Sequence, residues 1–236
     1  MMVLLLKILL TAVPVVIAIT FHESAHGYVA MLLGDTTAKE RGRISLNPLR
    51  HIDRVGTILL PGFLIVSQLL TIGHIVFLFG WAKPVPVRAE NFADPRRDMA
   101  LVATAGPLMN FFLAWVGALL FWPAAYLTGV WLDLAKGSLD GFIVINLALG
   151  LFNLIPLPPL DGGRIIVGVL PLPLAILWAR VERFGLLAVI FLVLILPMLS
   201  GAMGHRIDPV GQLAERVIPN AYNLVIRLVC HDPSSG

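Results

Sequence analysis

Two histidines and a glutamate lie within five residues of one another in the first part of the chain. His22 and His26 are four positions apart, and Glu23 directly follows the first of them. On an α-helix this spacing places both imidazoles on one face, one turn apart, where they can bind the same zinc ion. A carboxylate beside such a pair can polarise a water molecule at the metal. The spacing therefore predicts the larger part of a catalytic metal site.

A catalytic zinc site usually has three protein ligands, so the two histidines need a partner. Asp161 is the best candidate, because it lies where an apolar run ends, after Pro156, Pro158 and Pro159. The prolines predict a broken helix end. Broken backbone at membrane depth is tolerated only where it is buried in protein or lines a wet cavity, and a carboxylate can reach a metal there. By itself, the Asp-Gly pair at 161–162 would predict an ordinary turn at a helix end.

The composition indicates which elements must position these residues. Of 236 residues, 58% are hydrophobic and only 13% are charged, and the mean hydropathy is +0.90. An ordinary soluble domain has about 25% charged residues and cannot bury so much apolar surface. Long apolar runs, rather than short alternating segments, favour spanning helices over a barrel. We therefore expect an all-α multi-pass membrane protein in contact with the lipid bilayer. This excludes an ordinary soluble enzyme, a disordered chain and a nucleic-acid-binding protein.

Five apolar runs are candidates for membrane spans, each of which needs about 20 residues. They cover roughly residues 3–33, 56–80, 99–127, 141–157 and 184–199. We interpret residues 131–140 as a short polar linker and the tail, 201–236, as non-spanning. The whole chain, 1–236, is expected to form one membrane-embedded domain of five or six helical segments. Its motif-bearing core would cover about 3–170, and a C-terminal helix and tail about 171–236.

Two further stretches have a less specific pattern. Residues 81–87 contain Pro84 and Pro86, so they cannot be helical throughout. They form either a proline-rich loop or a short strand that pairs with an unwound substrate. In the third apolar run, Gly106 and Asn110 either take part in the chemistry or pack helices together, and packing is favoured, since small and amide side chains commonly pack membrane helices.

The two metal-binding motifs together resemble the site-2 protease family, which are intramembrane zinc metalloproteases of the M50 type. The sequence HESAH at 22–26 matches the family's H-E-x-x-H, and residues 153–162 match N-x-x-P-x-P-x-L-D-G at every fixed position. The stretches GRISLNPLRHID and GWAKPVPV are similar to the compact bacterial and archaeal branch without PDZ or CBS domains. The likeness extends from about residue 15 to residue 170.

The resemblance implies roles for individual residues. His22, His26 and Asp161 would bind one zinc ion per chain, and Glu23 would be the general base and then the proton donor. Asn153, which also precedes the break at Asp161, would hold the substrate backbone or the developing oxyanion. The implied activity is hydrolysis of peptide bonds in or near transmembrane segments of membrane proteins, in a prokaryotic cell membrane. The substrate would be a transmembrane protein or peptide, and the oligomeric state stays open.

Three other functions compete with this interpretation. A membrane protease with a glutamate as third ligand is disfavoured, because no later apolar run contains a glutamate in a suitable motif. A membrane metal transporter should carry several polar sites along a path through its helices, whereas the ionisable residues within these runs collect in one place. A non-catalytic membrane scaffold would have no use for Glu23.

Overall fold

The computed structural model describes residues 2–71, 73–74, 80–204 and 207–229. This part of the chain is helical and contains no β-strand, which confirms the predicted fold class. Its α-helices are α1 Met2–Leu32, α2 Thr37–Glu40, α3 Leu60–Thr71, α4 Pro95–Leu119, α5 Phe121–Ala124, α6 Val130–Asn153, α7 Asp161–Val169, α8 Leu172–Ile190, α9 Leu196–Ala202 and α10 Pro209–Val229.

Five helical stretches in the described residues are long and apolar enough to cross a membrane. They are Ala12–Leu32, Arg54–Thr71, Pro95–Ala124, Val130–Asn153 and Leu172–Gly201. Three of them are composite, and one of these, Pro95–Ala124, joins α4 to α5. A π-helical stretch, Arg54–Leu59, leads directly into α3, and another, Phe191–Ile195, joins α8 to α9. The chain is therefore a multi-pass membrane protein, as its composition predicts, and α10 is not among these spans.

The interpretation of residues 131–140 as a linker was wrong. These residues form the first turns of α6, which begins at Val130 directly after Gly129, a glycine with a φ of +57°. Their leucines, alanine and lysine favour a helix, and no proline interrupts them. The charged residues that suggested a linker lie in the first half of a helix whose apolar second half reaches toward Asn153.

The helix α4 lies at the centre of the fold, in contact with α1, α6, α7 and α10. Small residues let its neighbours approach closely. A Cβ atom on Gly117 would lie 2.9 Å from the Phe142 ring and 3.0 Å from Ile143 on α6. Ala114 and Ala118 are fully buried in the same cluster as Ile143. By contrast, α3 has no buried residue and presents an apolar surface suited to lipid.

Candidate metal centre

The two histidines lie near each other on the inner face of α1, as their spacing predicts. Their rings are 4.7 Å apart between centroids and meet edge to face at 87°. The Nε2 atoms of His22 and His26 are 3.1 Å apart, and both side chains are buried. Because the two ring nitrogens lie so close together, with no other group between them, they point toward a common position.

Asp161 completes the cluster from the first position of α7. Its Oδ2 atom lies 3.1 Å from His22 Nε2 and 3.3 Å from His26 Nε2. The ligand atoms of the three residues all lie within 4.8 Å of one another. This Oδ2 atom is buried and accepts no hydrogen bond within the described chain. A buried carboxylate oxygen that faces two ring nitrogens at this distance is suited to a cation.

Glycines allow the turn before α7 to close tightly enough to place Asp161. A Cβ atom on Gly162 would overlap the carbonyl oxygens of Leu154 and Ile155. One on Gly163 would come within 2.6 Å of the Pro158 nitrogen. Any larger residue would push α7 away from the turn. The break in the chain that the prolines and glycines predict is therefore present, and it brings the carboxylate to α1.

The outer nitrogens of both histidines are held by α4. His22 Nδ1 is 2.6 Å from Asn110 Oδ1, and His26 Nδ1 donates to the Val102 carbonyl at 2.7 Å. A carbonyl can only accept, so His26 carries its proton on Nδ1 and turns the Nε2 lone pair toward Asp161. Such partners orient ligand histidines in metal sites.

Gly106 lies between these two contacts along α4. A Cβ atom there would come within 2.5 Å of His22 Cε1 and of His26 Nε2. The sequence favoured a packing role for Gly106 and Asn110, but both contact the histidines directly. Val102, Gly106 and Asn110 follow one another at intervals of four residues and so share one face of α4. This spacing is the sequence signal that could have identified Gly106 and Asn110 as contacts of the histidines.

The Glu23 side chain is half-buried and accepts a hydrogen bond of 3.0 Å from the Val85 amide. Val85 belongs to residues 80–88, which form neither a helix nor a strand and which we call the tethered segment. Within the described residues this proline-rich stretch is a loop, and its pairing with an unwound substrate stays a prediction. Glu23, which directly follows His22 on α1, thus contacts the backbone of the tethered segment.

Arg43 holds the middle of the tethered segment. Its guanidinium is buried and donates to the Lys83 carbonyl at 2.5 Å, to the Pro84 carbonyl at 3.3 Å and to the Arg50 carbonyl. The Lys83 amide donates in turn to the His51 carbonyl at 2.9 Å. These bonds fix the backbone immediately before Val85.

Asp35 holds the end of the same segment. Its buried carboxylate accepts hydrogen bonds from the Arg88 amide at 2.7 Å, from the Asn91 side chain at 2.7 Å and from Thr37. Burial alone would raise the pKa of Asp35, but these hydrogen bonds outweigh burial and lower its pKa below the ordinary value. The segment is thus fixed on both sides of Val85.

Asn153 occupies the last position of α6 and is half-buried. Its amide donates to the Leu149 carbonyl of its own helix at 3.0 Å. Within the described residues it makes no hydrogen bond to the three clustered side chains. Its predicted role at the substrate therefore stays a prediction.

The donor set fits a zinc ion. Two neutral imidazoles and one carboxylate are the ligand types of catalytic zinc sites, which keep a further position open. The helix α1 is a candidate membrane span and carries H-E-x-x-H at 22–26. A carboxylate from a later helix completes the ligand set. The fold and this centre together define the class of membrane-embedded metallohydrolases.

Comparisons with known proteins identify the class more closely. The model of peptidase family M50 matches residues 130–196. A Bacillus subtilis (strain 168) protein named "Putative zinc metalloprotease YwhC" is 41% identical over 187 residues, which are 77% of this chain and 78% of that protein. A similarly described Mycolicibacterium smegmatis protein, Rip2, is 29% identical over 148 residues, 61% of this chain and 51% of that protein. No solved structure matches this chain.

The chain belongs to peptidase family M50. Family membership and the cluster of His22, His26 and Asp161 make it a zinc metalloprotease. The five apolar helices among the described residues and the bacterial relatives agree with an integral protein of a prokaryotic membrane. The predicted family, enzyme class, zinc cofactor and membrane location are confirmed.

Proposed function

We propose that this protease cuts within the membrane, at peptide bonds in or near the transmembrane segments of other membrane proteins. This proposal rests on the depth at which the metal cluster lies within the candidate membrane spans. His22 and His26 lie well inside the candidate span Ala12–Leu32, and Asp161 lies between two later spans. A peptide bond must reach that depth to be hydrolysed there. The natural substrate is therefore a protein that already lies in the bilayer.

In this proposal His22, His26 and Asp161 hold one zinc ion per chain. When bound, zinc lowers the pKa of a water molecule and polarises the scissile carbonyl. The Glu23 carboxylate takes a proton from water as general base and passes it to the leaving amine as general acid. The Val85 amide restricts the rotation of that carboxylate through its hydrogen bond to Oε2. Glu23 is thereby oriented before a substrate arrives.

The substrate helix must unwind near the cut, because helical hydrogen bonds occupy its carbonyl groups. The tethered segment offers an immobilised, non-helical backbone beside Glu23, against which an unwound peptide can lie. In this proposal the Asn153 amide turns away from the Leu149 carbonyl and donates to the substrate carbonyl or to the developing oxyanion. We also propose that the whole chain, 1–236, acts as one membrane domain.

A metal transporter is the principal alternative. Such a protein needs a succession of polar sites along its path. In the described part of the chain, a single group of three histidine, cysteine or acidic residues could hold a metal, and its members come from α1 and α7. A lone buried centre with a neighbouring carboxylate favours chemistry over transport.

Cleavage in liposomes tests the proposal. The purified protein would be reconstituted with a single-span test protein and, separately, with an unfolded soluble protein. We expect cleavage of the single-span protein within or next to its apolar stretch. The Glu23→Gln variant should keep its zinc and lose activity by about 10²- to 10⁴-fold, since it cannot accept a proton. Preferential cleavage of the soluble protein, or full activity in Glu23→Gln, would contradict it.

A further inference from the structure

We propose that Asn110 and Asn146 form a positioning relay that fixes the tautomer of His22 and so sets the affinity of the centre for zinc. The inference rests on the proposed role of His22 as a metal ligand. It concerns two residues outside the cluster of His22, His26 and Asp161. We call the contacts from the Phe142 carbonyl through Asn146 and Asn110 to His22 the amide relay.

The amide relay crosses three helices without a gap. On α6, Asn146 Nδ2 donates to the Phe142 carbonyl at 2.9 Å. On α4, Asn110 Nδ2 donates to Asn146 Oδ1 at 3.0 Å and to the Ala18 carbonyl of α1 at 3.3 Å. Asn110 Oδ1 then faces His22 Nδ1 at 2.6 Å. Both asparagines are fully buried, with 0% exposure.

The direction of each bond follows from the first one. A backbone carbonyl can only accept, so Asn146 must turn its NH₂ group toward Phe142. Its Oδ1 atom is then left to accept from Asn110, which must turn its own NH₂ group that way. The remaining oxygen of Asn110 faces His22, whose Nδ1 must carry the proton. The Nε2 atom of His22, which faces Asp161 Oδ2 at 3.1 Å, is thereby left as the atom that can bind a metal.

The two ligand histidines reach the same tautomer by different means. His26 donates to a backbone carbonyl, Val102, which no side-chain substitution removes. His22 depends on the Asn110 amide, which is oriented chiefly by its 3.0 Å bond to Asn146 and more weakly by its 3.3 Å bond to the Ala18 carbonyl. The relay therefore fixes the tautomer of His22, as the main chain fixes the tautomer of His26. Only the relay can be removed by mutation.

Packing alone is the simpler explanation, since buried amides also join membrane helices. The two explanations differ in what they leave unchanged. A packing residue affects stability and leaves metal affinity alone, whereas the relay predicts a loss of metal affinity from Asn146, which does not contact a metal ligand. Leu147, the next residue on α6, is 2% exposed, lies in the apolar cluster and supplies a matched control.

The test measures zinc affinity by competition with a chromophoric chelator, using the full chain in detergent. We expect Asn146→Leu to weaken zinc binding by about 10- to 100-fold, the usual effect of losing an orienting partner. Asn110→Ala should weaken it at least as much, and the double variant no more than Asn110→Ala, because the two residues act in series. Leu147→Ala should lower the melting temperature and bind zinc like the parent.

A second measurement does not depend on metal. The ¹⁵N chemical shift of His22 Nδ1 in zinc-free protein should report a nitrogen that always carries a proton, whether or not Nε2 also carries one beside Asp161. In Asn146→Leu, or in the milder Asn146→Ser, it should report a mixture of protonated and unprotonated Nδ1. Parent-like affinity with a fully protonated Nδ1 in these variants would overturn the relay, as would an equal affinity loss in Leu147→Ala. A parent that binds zinc but cuts no membrane substrate would refute the proposed function and leave the relay intact.

Discussion

The metal centre and the tethered segment meet at Glu23, yet different kinds of contact hold them. In the metal centre, groups on helices orient side chains, as the Asn110 amide does for His22 and the Val102 carbonyl does for His26. In the tethered segment, residues 80–88, side chains from loops hold main-chain groups, as Arg43 does for Lys83 and Asp35 does for Arg88.

The difference follows from the backbone. A helix satisfies its own amide and carbonyl groups, so the side chains of α1, α4 and α6 are free to orient one another. Non-helical chain leaves those groups unpaired, and unpaired groups are costly where water is excluded. Buried polar side chains must then supply the partners. Substitutions in the first region should therefore change metal binding, and substitutions in the second should change backbone order.

The largest expected effect is in the metal centre itself. Asp161→Ala removes the only carboxylate in the described ligand cluster and leaves two histidines, one ligand short of the usual number. We expect zinc to fall from one ion per chain in the parent to a small fraction of that in the variant, measured by elemental analysis after chelator-free purification. Asp133→Ala, near the start of α6, is the matched control and should keep its zinc. Equal zinc in both variants would contradict the assignment.

The second-largest effect on zinc binding is expected for Gly106→Ala, since it adds a methyl group where both histidine rings lie. Overpacking of this kind costs about 1–3 kcal/mol of stability, and here it should also displace His22 and His26 and weaken zinc binding. The control is Gly137→Ala on α6, where a Cβ meets nothing within 4 Å. That variant should match or exceed the parent in melting temperature, because alanine favours a helix. Normal zinc affinity in Gly106→Ala would show that the centre is less tightly packed than the structure indicates.

The variant Arg43→Met tests whether the tethered segment can lose its order without any change in the metal centre. It keeps most of the side-chain volume but leaves the Lys83, Pro84 and Arg50 carbonyls without their donor. We expect a loss of about 1–3 kcal/mol and faster hydrogen–deuterium exchange over residues 80–88, with zinc content unchanged. Arg41→Met, an exposed neighbour, should change neither quantity. If zinc were lost together with backbone order, the two regions would not be independent.

The smallest effect is a pH dependence from Asp35. Hydrogen bonds outweigh burial and lower its pKa below 3.8 in the folded protein. The ionised carboxylate therefore stabilises the fold fully above about pH 5, and this contribution is lost as the pH falls through the lowered pKa. The melting-temperature difference between the parent and Asp35→Asn should be positive at neutral pH and shrink at about pH 3. A difference that does not vary with pH would exclude Asp35 as its source.

Several features could be predicted from the sequence because each depends on a short stretch of the chain. The four-residue spacing of His22 and His26 is a property of one helix, and the break before Asp161 is a property of its prolines and glycines. The spans followed from continuous apolar runs. The helical start of α6 was missed, because its charged residues resemble a loop when hydropathy alone is considered.

The sequence by itself determined the types of the candidate ligands, their local spacing and the membrane setting, because each depends on neighbours a few residues away. Only the tertiary structure decided that Gly106 and Asn110 face the histidines and that Arg43 and Asp35 hold the tethered segment. Those contacts depend on how closely helices cross and where a loop returns, and periodicity along one helix does not encode either. The sequence is therefore least informative, and the structure adds most, for polar contacts between residues that are far apart along the chain.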